Sequence, residues 1–186
     1  MVSIKEWFEA TFNGIAQIAF SNNLKSGYLV FFSILSISPF SALGALAGVT
    51  INNIISYRFY KEDFLLEWKK GFFGYSSGIL GIIIGSYLIH SLIYFFIFFV
   101  SIIFCSLLDI YLRKFLIKYS IPPFAISPII IFWAIDFFLS SFNYPSWVSI
   151  GILPLGNWSV YICTIGIVIV LFINNLKATF LTIFLS

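Results

Sequence analysis

The sequence predicts an all-α, polytopic helical membrane protein, and three observations carry that prediction. Of 186 residues, 61% are hydrophobic and 9% are charged, a balance too apolar for a water-soluble globule of this size. The uncharged runs 71–108 and 137–176 are each far longer than the about 20 residues that one spanning helix needs, so each predicts two spans. Neither run keeps the apolar–polar alternation of a barrel strand, which leaves helices to satisfy the backbone in lipid.

At the start, Ile4, Trp7, Phe8, Thr11 and Phe12 recur at helical spacing while Lys5, Glu6 and Glu9 fall elsewhere on the wheel. Residues 3–13 therefore predict a helix lying at the membrane interface. Charges among apolar residues, without a small-residue cleavage site, argue against a cleaved signal peptide. Residues 14–27 read as a short helix that stops inside the membrane, where its last carbonyls need partners from protein or a water-filled cavity. Such an end is a row of hydrogen-bond acceptors.

From Ser26 to about Tyr57 the chain predicts two spans turning at Ser38-Pro39. Gly44-x-x-x-Gly48, Gly74-x-x-x-Gly78 and Gly81-x-x-x-Gly85 predict close helix packing, because small residues let backbones approach. Arg58 to Lys70 is the most charged segment and belongs at a membrane surface. A second basic connection, Asp109 to Lys118, belongs on the same face, which the positive-inside rule makes cytoplasmic. One more span, about Ser120 to Ser140, crosses outward, and Lys177 returns. Five spans plus a re-entrant pore helix is an odd count, as an inverted repeat requires. The expected organisation is a first repeat over 1–140 and a partial second, inverted repeat over 141–186, in which Asn157-Trp158 to Lys177-Ala178 can be laid over Asn22-Asn23 to Ser41-Ala42. On this reading the chain carries one complete repeat at most.

The net charge of +3 sits in loops and leaves no nucleic-acid footprint. Cys105 and Cys163 both lie in apolar runs and predict buried thiols rather than a disulfide. No paired carboxylates, nucleophile triad, metal-ligand cluster or phosphate loop occurs, so neither an enzyme nor a cofactor is expected. The one histidine, His90, falls at a turn between spans. Asn157-Trp158-Ser159 fits a glycosylation sequon, discounted for a bacterial-style chain. Asp136 is the one charge between Tyr119 and Leu176, either near the outer headgroups or a functional group within a span. Asp109 is expected to pair with Arg113, one helical turn away.

Gly14-Ile-Ala-Gln17-Ile-Ala-Phe20-x-Asn22-Asn23-x-x-Ser26-Gly27, followed by Ile37-Ser38-Pro39-Phe40, resembles the first-repeat signature of the urea transporter family, with Leu24 where a proline is usual. Gly71-Phe-Phe-Gly74-Tyr75-Ser-Ser-Gly78-Ile79 is similar to the family's Gly-x-x-Gly-Phe-Asn-Gly segment, with Ser76-Ser77 in place of Asn-Gly. Pro123-Phe-Ala-Ile126-Ser127-Pro128-Ile129 keeps the proline spacing of a third element, with Ile126 at its threonine and Ile129 at its phenylalanine. These matches cover roughly residues 10 to 135.

The resemblance implies passive, channel-type passage of urea through a narrow pore with acceptor oxygens and aromatic walls. It implies substrate contacts at Gln17 (an acceptor), Ile18 and Ile79 (aliphatic walls), Phe20 and Tyr75 (flat rings) and Ile126, which lacks the hydroxyl of the family's threonine. Without the motif, Gln17 reads as a polar strut between helices, and any one ring as core or lipid-facing. Family members build one pore from two inverted halves and assemble as oligomers. That implies a homo-oligomer, or a partner chain completing the wall, in a lipid bilayer; the expected location of this multi-pass chain is the bacterial inner membrane. In the partial second copy, Leu153 followed by Pro154 stands where Gln17 would be. Two alternatives remain open: a shortened, non-conducting or partner-dependent subunit, and a channel for ammonia, a short amide or water.

Overall fold

The computed structural model describes residues 2–21, 23–60, 64–86, 92–117 and 126–141. His90, Cys163, the 157–159 sequon and residues 142–186 of the expected second repeat lie outside the described residues, as does the side chain of Asp136. Every element described is helical: α1 (Ile4–Ala16), α2 (Leu24–Ile37), α3 (Pro39–Tyr60), α4 (Leu65–Lys69), α5 (Gly74–Gly85), α6 (Leu92–Ile117) and α7 (Ile126–Ser141), with a 3₁₀ turn at Gln17–Ala19. The all-α class expected from composition is the observed one.

The first helix departs from expectation. The interfacial segment and the start of the short pore helix are one continuous element, α1, opened by a capping box in which Ser3 and Glu6 satisfy each other's backbone N–H groups. It ends at Ala16, so residues 14–27 do not form one helix. Its close is self-capped: the Phe20 N–H donates to the Gln17 carbonyl at 2.9 Å and the Ser21 N–H to the Ala16 carbonyl at 3.1 Å. Two of the carbonyls expected to stand open are thereby occupied, because a tight C-terminal turn satisfies them more cheaply than a cavity does. Phe20 takes the left-handed conformation that makes this turn, at φ 54°.

The break at Ser38-Pro39 lies where the sequence puts it. Ser38 is extended, its N–H closing α2 on the Ile34 carbonyl at 3.0 Å and its Oγ accepting from the Ser41 N–H of α3 at 3.2 Å. Two helices, Pro39–Phe59 and Ile93–Leu116, are long and apolar enough to cross a membrane. The others described are shorter. At 12 residues, α5 rises only about 18 Å against a hydrocarbon core of about 30 Å.

The glycine motifs mark the tightest seam. A Cβ at Gly44 would meet the Gly81 carbonyl oxygen at 2.2 Å, one at Gly48 would meet the Ser77 oxygen at 2.3 Å, and one at Gly85 the Phe40 oxygen at 2.6 Å. This pairing runs α3 and α5 antiparallel with their backbones in contact. Around the seam lie two apolar clusters, one joining α1, α2 and α3 through Phe12, Ile15, Val30, Ile34 and Val49 and one joining α5 and α6 through Leu80, Ile84, Phe98 and Ile102.

Candidate functional site

The end of α1 meets the start of α5 across the 70–73 turn, and elementary constraints build that junction. Gly71 has φ +78°, a backbone that other residues rarely adopt, and a Cβ there would sit 2.2 Å from the Gly14 nitrogen. Only glycine allows the turn to lie on α1. Two amides one helical turn apart then tie α1 to the end of α4: Asn13 Nδ2 donates to the Lys69 carbonyl at 2.9 Å and Gln17 Nε2 to the Lys70 carbonyl at 3.3 Å. Asn52 Nδ2 donates to the Phe73 carbonyl, and Trp68 Nε1 to the Asn53 carbonyl at 3.0 Å, which fix the same segment to α3. At the far end, Lys69 Nζ pairs with Glu6 at 2.5 Å.

Within this frame most of the expected site residues come together. Gln17 is half-buried; its Nε2 donates to the Lys70 carbonyl, and its Oε1 has no hydrogen bond among the described residues. A Cβ at Gly78 would lie 3.3 Å from Ile18 Cδ1, so the missing side chain there makes room for Ile18. The Phe20 ring, 73% exposed, faces the Tyr75 ring at 6.3 Å between centroids and a tilt of 43°. Ile79 follows Tyr75 by one turn on α5 and is half-buried. Ile126 stands apart at the start of α7, and its link to the rings is indirect, through its neighbour Ser127.

That link runs through a group whose reach the sequence did not disclose. Asp109 is fully buried; its Oδ1 accepts from Ser76 Oγ at 2.9 Å and from Ser127 Oγ at 3.2 Å, and its Oδ2 from Arg113 Nε at 3.0 Å. The Asp109–Arg113 pair is the one that i,i+4 spacing predicts. The two serines are long-range partners that no local pattern reveals. Arg113 also donates through Nη2 to the Phe72 carbonyl and lies 4.8 Å over the Phe73 ring, so both basic segments meet at one end of the bundle. Asn52 and Asn53, fully buried, were missed as well, although adjacent amides in an apolar run are a readable signal.

The family model described as urea transporter matches residues 8–151, a stretch that includes every expected site residue. The chain belongs to the urea transporter family. Among curated proteins, no sequence matches it. As a urea transporter family member, it belongs to a class that carries urea across membranes and performs no enzymatic chemistry. The helical fold, with two helices among the described residues long and apolar enough to cross a membrane, is consistent with a membrane protein of that class.

Proposed function

We propose that the chain conducts urea passively through a constriction lined by Gln17, Ile18, Phe20, Tyr75 and Ile79, with Ile126 on a neighbouring part of the wall. The observation that carries this is the Phe20 ring facing Tyr75, with Gln17, three residues before Phe20 in the chain, leaving its Oε1 without a hydrogen bond among the described residues. Urea is flat, with N–H donors in its plane. Stripping its water costs roughly 1–3 kcal/mol per unpaired polar group, so a passage must return hydrogen bonds as it confines the molecule. The Oε1 returns one. Two rings enclosing a flat solute need about 7 Å between planes, twice a carbon–carbon contact. With centroids 6.3 Å apart and planes tilted by 43°, the rings are not parallel, and a slot for a flat solute requires the exposed Phe20 side chain to swing.

On this reading residues 1–140 form one repeat, the basic end with Lys69, Lys70 and Arg113 faces the cytoplasm of a bacterial cell, and copies of the chain associate in the inner membrane. One observation favours a second reading, a non-conducting or partner-dependent subunit: the Ala16 and Gln17 carbonyls already accept capping N–H groups.

Stopped-flow urea uptake into liposomes holding the chain separates the two. Saturable flux above that of empty liposomes is expected, and Gln17→Leu should lower it about tenfold, the equivalent of one hydrogen bond of about 1.4 kcal/mol. Asn13→Ala removes the neighbouring strut to Lys69 without touching the acceptor, and should leave flux within about twofold of wild type. Unchanged flux in Gln17→Leu would refute the acceptor role. No flux from folded protein would establish the second reading, and flux of ammonia, a short amide or water in place of urea would reassign the solute.

A further inference from the structure

We infer that Asp109 is a positioning residue that sets the spacing of the Phe20–Tyr75 slot, an inference that rests on the reading of those rings as the constriction. Its carboxylate joins α6 to the first turns of α5 and α7. Ser76, whose hydroxyl bonds Oδ1, directly follows Tyr75 in the first turn of α5. Ser127, which shares the same oxygen, directly follows Ile126 in the first turn of α7. Arg113 holds the other oxygen and reaches on to the Phe72 carbonyl and the face of Phe73, in the turn that leads into α5. A second tie lies one residue along: Ser77 Oγ meets Ser106 Oγ at 3.1 Å, again between α5 and α6.

Tyr75 therefore sits between a turn held by Arg113 and a serine held by Asp109. Phe20 is fixed from the other side, by the self-capped end of α1 and the Gln17 strut. The distance between the rings is the difference between these two anchorages, and Asp109 governs one of them. A buried carboxylate with three donors has few alternative arrangements, because each abandoned bond leaves a charge-bearing partner unpaired in low dielectric. The glycine contacts set α5 against α3, and the carboxylate sets the first turn of α5 against α6 and α7.

The experiment uses the full chain in nanodiscs and liposomes, with Cys105→Ala and Cys163→Ala as background. Ser76→Ala removes the tie nearest Tyr75 and keeps the Asp109–Arg113 pair, so it folds where Asp109→Asn fails. The conservative Ser76→Thr keeps the hydroxyl. Two readouts are taken. Cross-linking of Phe20→Cys to Tyr75→Cys by a short bifunctional thiol reagent reports the separation of positions 20 and 75 without reference to transport. The ratio of urea to N-methylurea flux, measured with both rings intact, reports the slot.

Ser76→Ala should slow cross-linking and lower the flux ratio, each about threefold or more, with Ser76→Thr restoring both. Equal cross-linking in Ser76→Ala and its background would overturn the inference, whatever the fluxes do. A loss of folded protein with an unchanged flux ratio in what remains would also overturn it, since it assigns Ser76 to stability alone. If the wild-type chain passes no urea, the reading of the slot as a urea constriction fails, and the cross-linking rate still decides whether Asp109 sets the ring spacing.

Discussion

The α3–α5 seam and the α6–α7 wall are both apolar helix pairs, yet they are built on opposite principles. Along the seam Gly44, Gly48, Gly81 and Gly85 bring backbone against backbone, and every added atom would collide. Between α6 and α7, Ile93, Phe96, Val100, Phe104, Ile135 and Phe138 line an open apolar groove of about 650 Å³. In a bilayer large side chains gain little from meeting each other rather than lipid tails, whereas close backbone approach gains contacts that lipid cannot supply. The seam defines a register. The groove imposes no such register.

Breaking the seam should have the largest effect. Gly44→Leu puts a Cβ where the Gly81 oxygen lies 2.2 Å away, and a backbone atom cannot swing aside as a side chain can. The loss should exceed the about 1–3 kcal/mol usual for overpacking, read as a collapse of the detergent-solubilised melting temperature. A variant that melts with wild type would show that α3 and α5 are not packed through Gly44.

An intermediate effect tests the tie at the seam's outer end, where α1 meets α4 without glycine. The hydrogen bond from Lys69, and after it the Ser3 N–H, hold the Glu6 carboxyl down at about 2 against an ordinary 4.5. A carboxyl depressed in the folded state contributes its stability above the unfolded value and loses it as pH falls through the folded one. Melting measured from pH 5 down to pH 2 should therefore decline more steeply in wild type than in Glu6→Gln. Parallel curves would mean that the pair does not persist in solution.

The smallest effect belongs to the groove. Phe96 is 75% exposed, and Phe96→Ala should move stability by no more than about 0.5 kcal/mol. A larger loss would show that the groove is covered by protein.

This contrast also explains what could be read in advance. Gly44-x-x-x-Gly48 and Gly81-x-x-x-Gly85 were legible because only glycine permits that approach, and Ser38-Pro39 because proline cannot continue a helix. Phe20 and Tyr75 were singled out through two separate short motifs, and their rings lie 6.3 Å apart. The continuity of α1 was not legible, since an amphipathic start and an apolar finish in one helix look like two elements. Nor was the use of the Ala16 and Gln17 carbonyls, which depends on Phe20 turning left-handed. The partners of Asp109 stayed hidden for a different reason: Ser76 and Ser127 are 33 and 18 residues away, beyond any helical periodicity.

Phe20 itself sets two demands against each other. A left-handed backbone costs a β-carbon-bearing residue roughly 1–2 kcal/mol, and glycine would remove that cost. Glycine would also remove the ring that faces Tyr75. On the proposed reading of the rings as the constriction, the ordinary route to a sturdier chain passes through the loss of one wall of the slot, which sets thermostability against solute discrimination at this single residue.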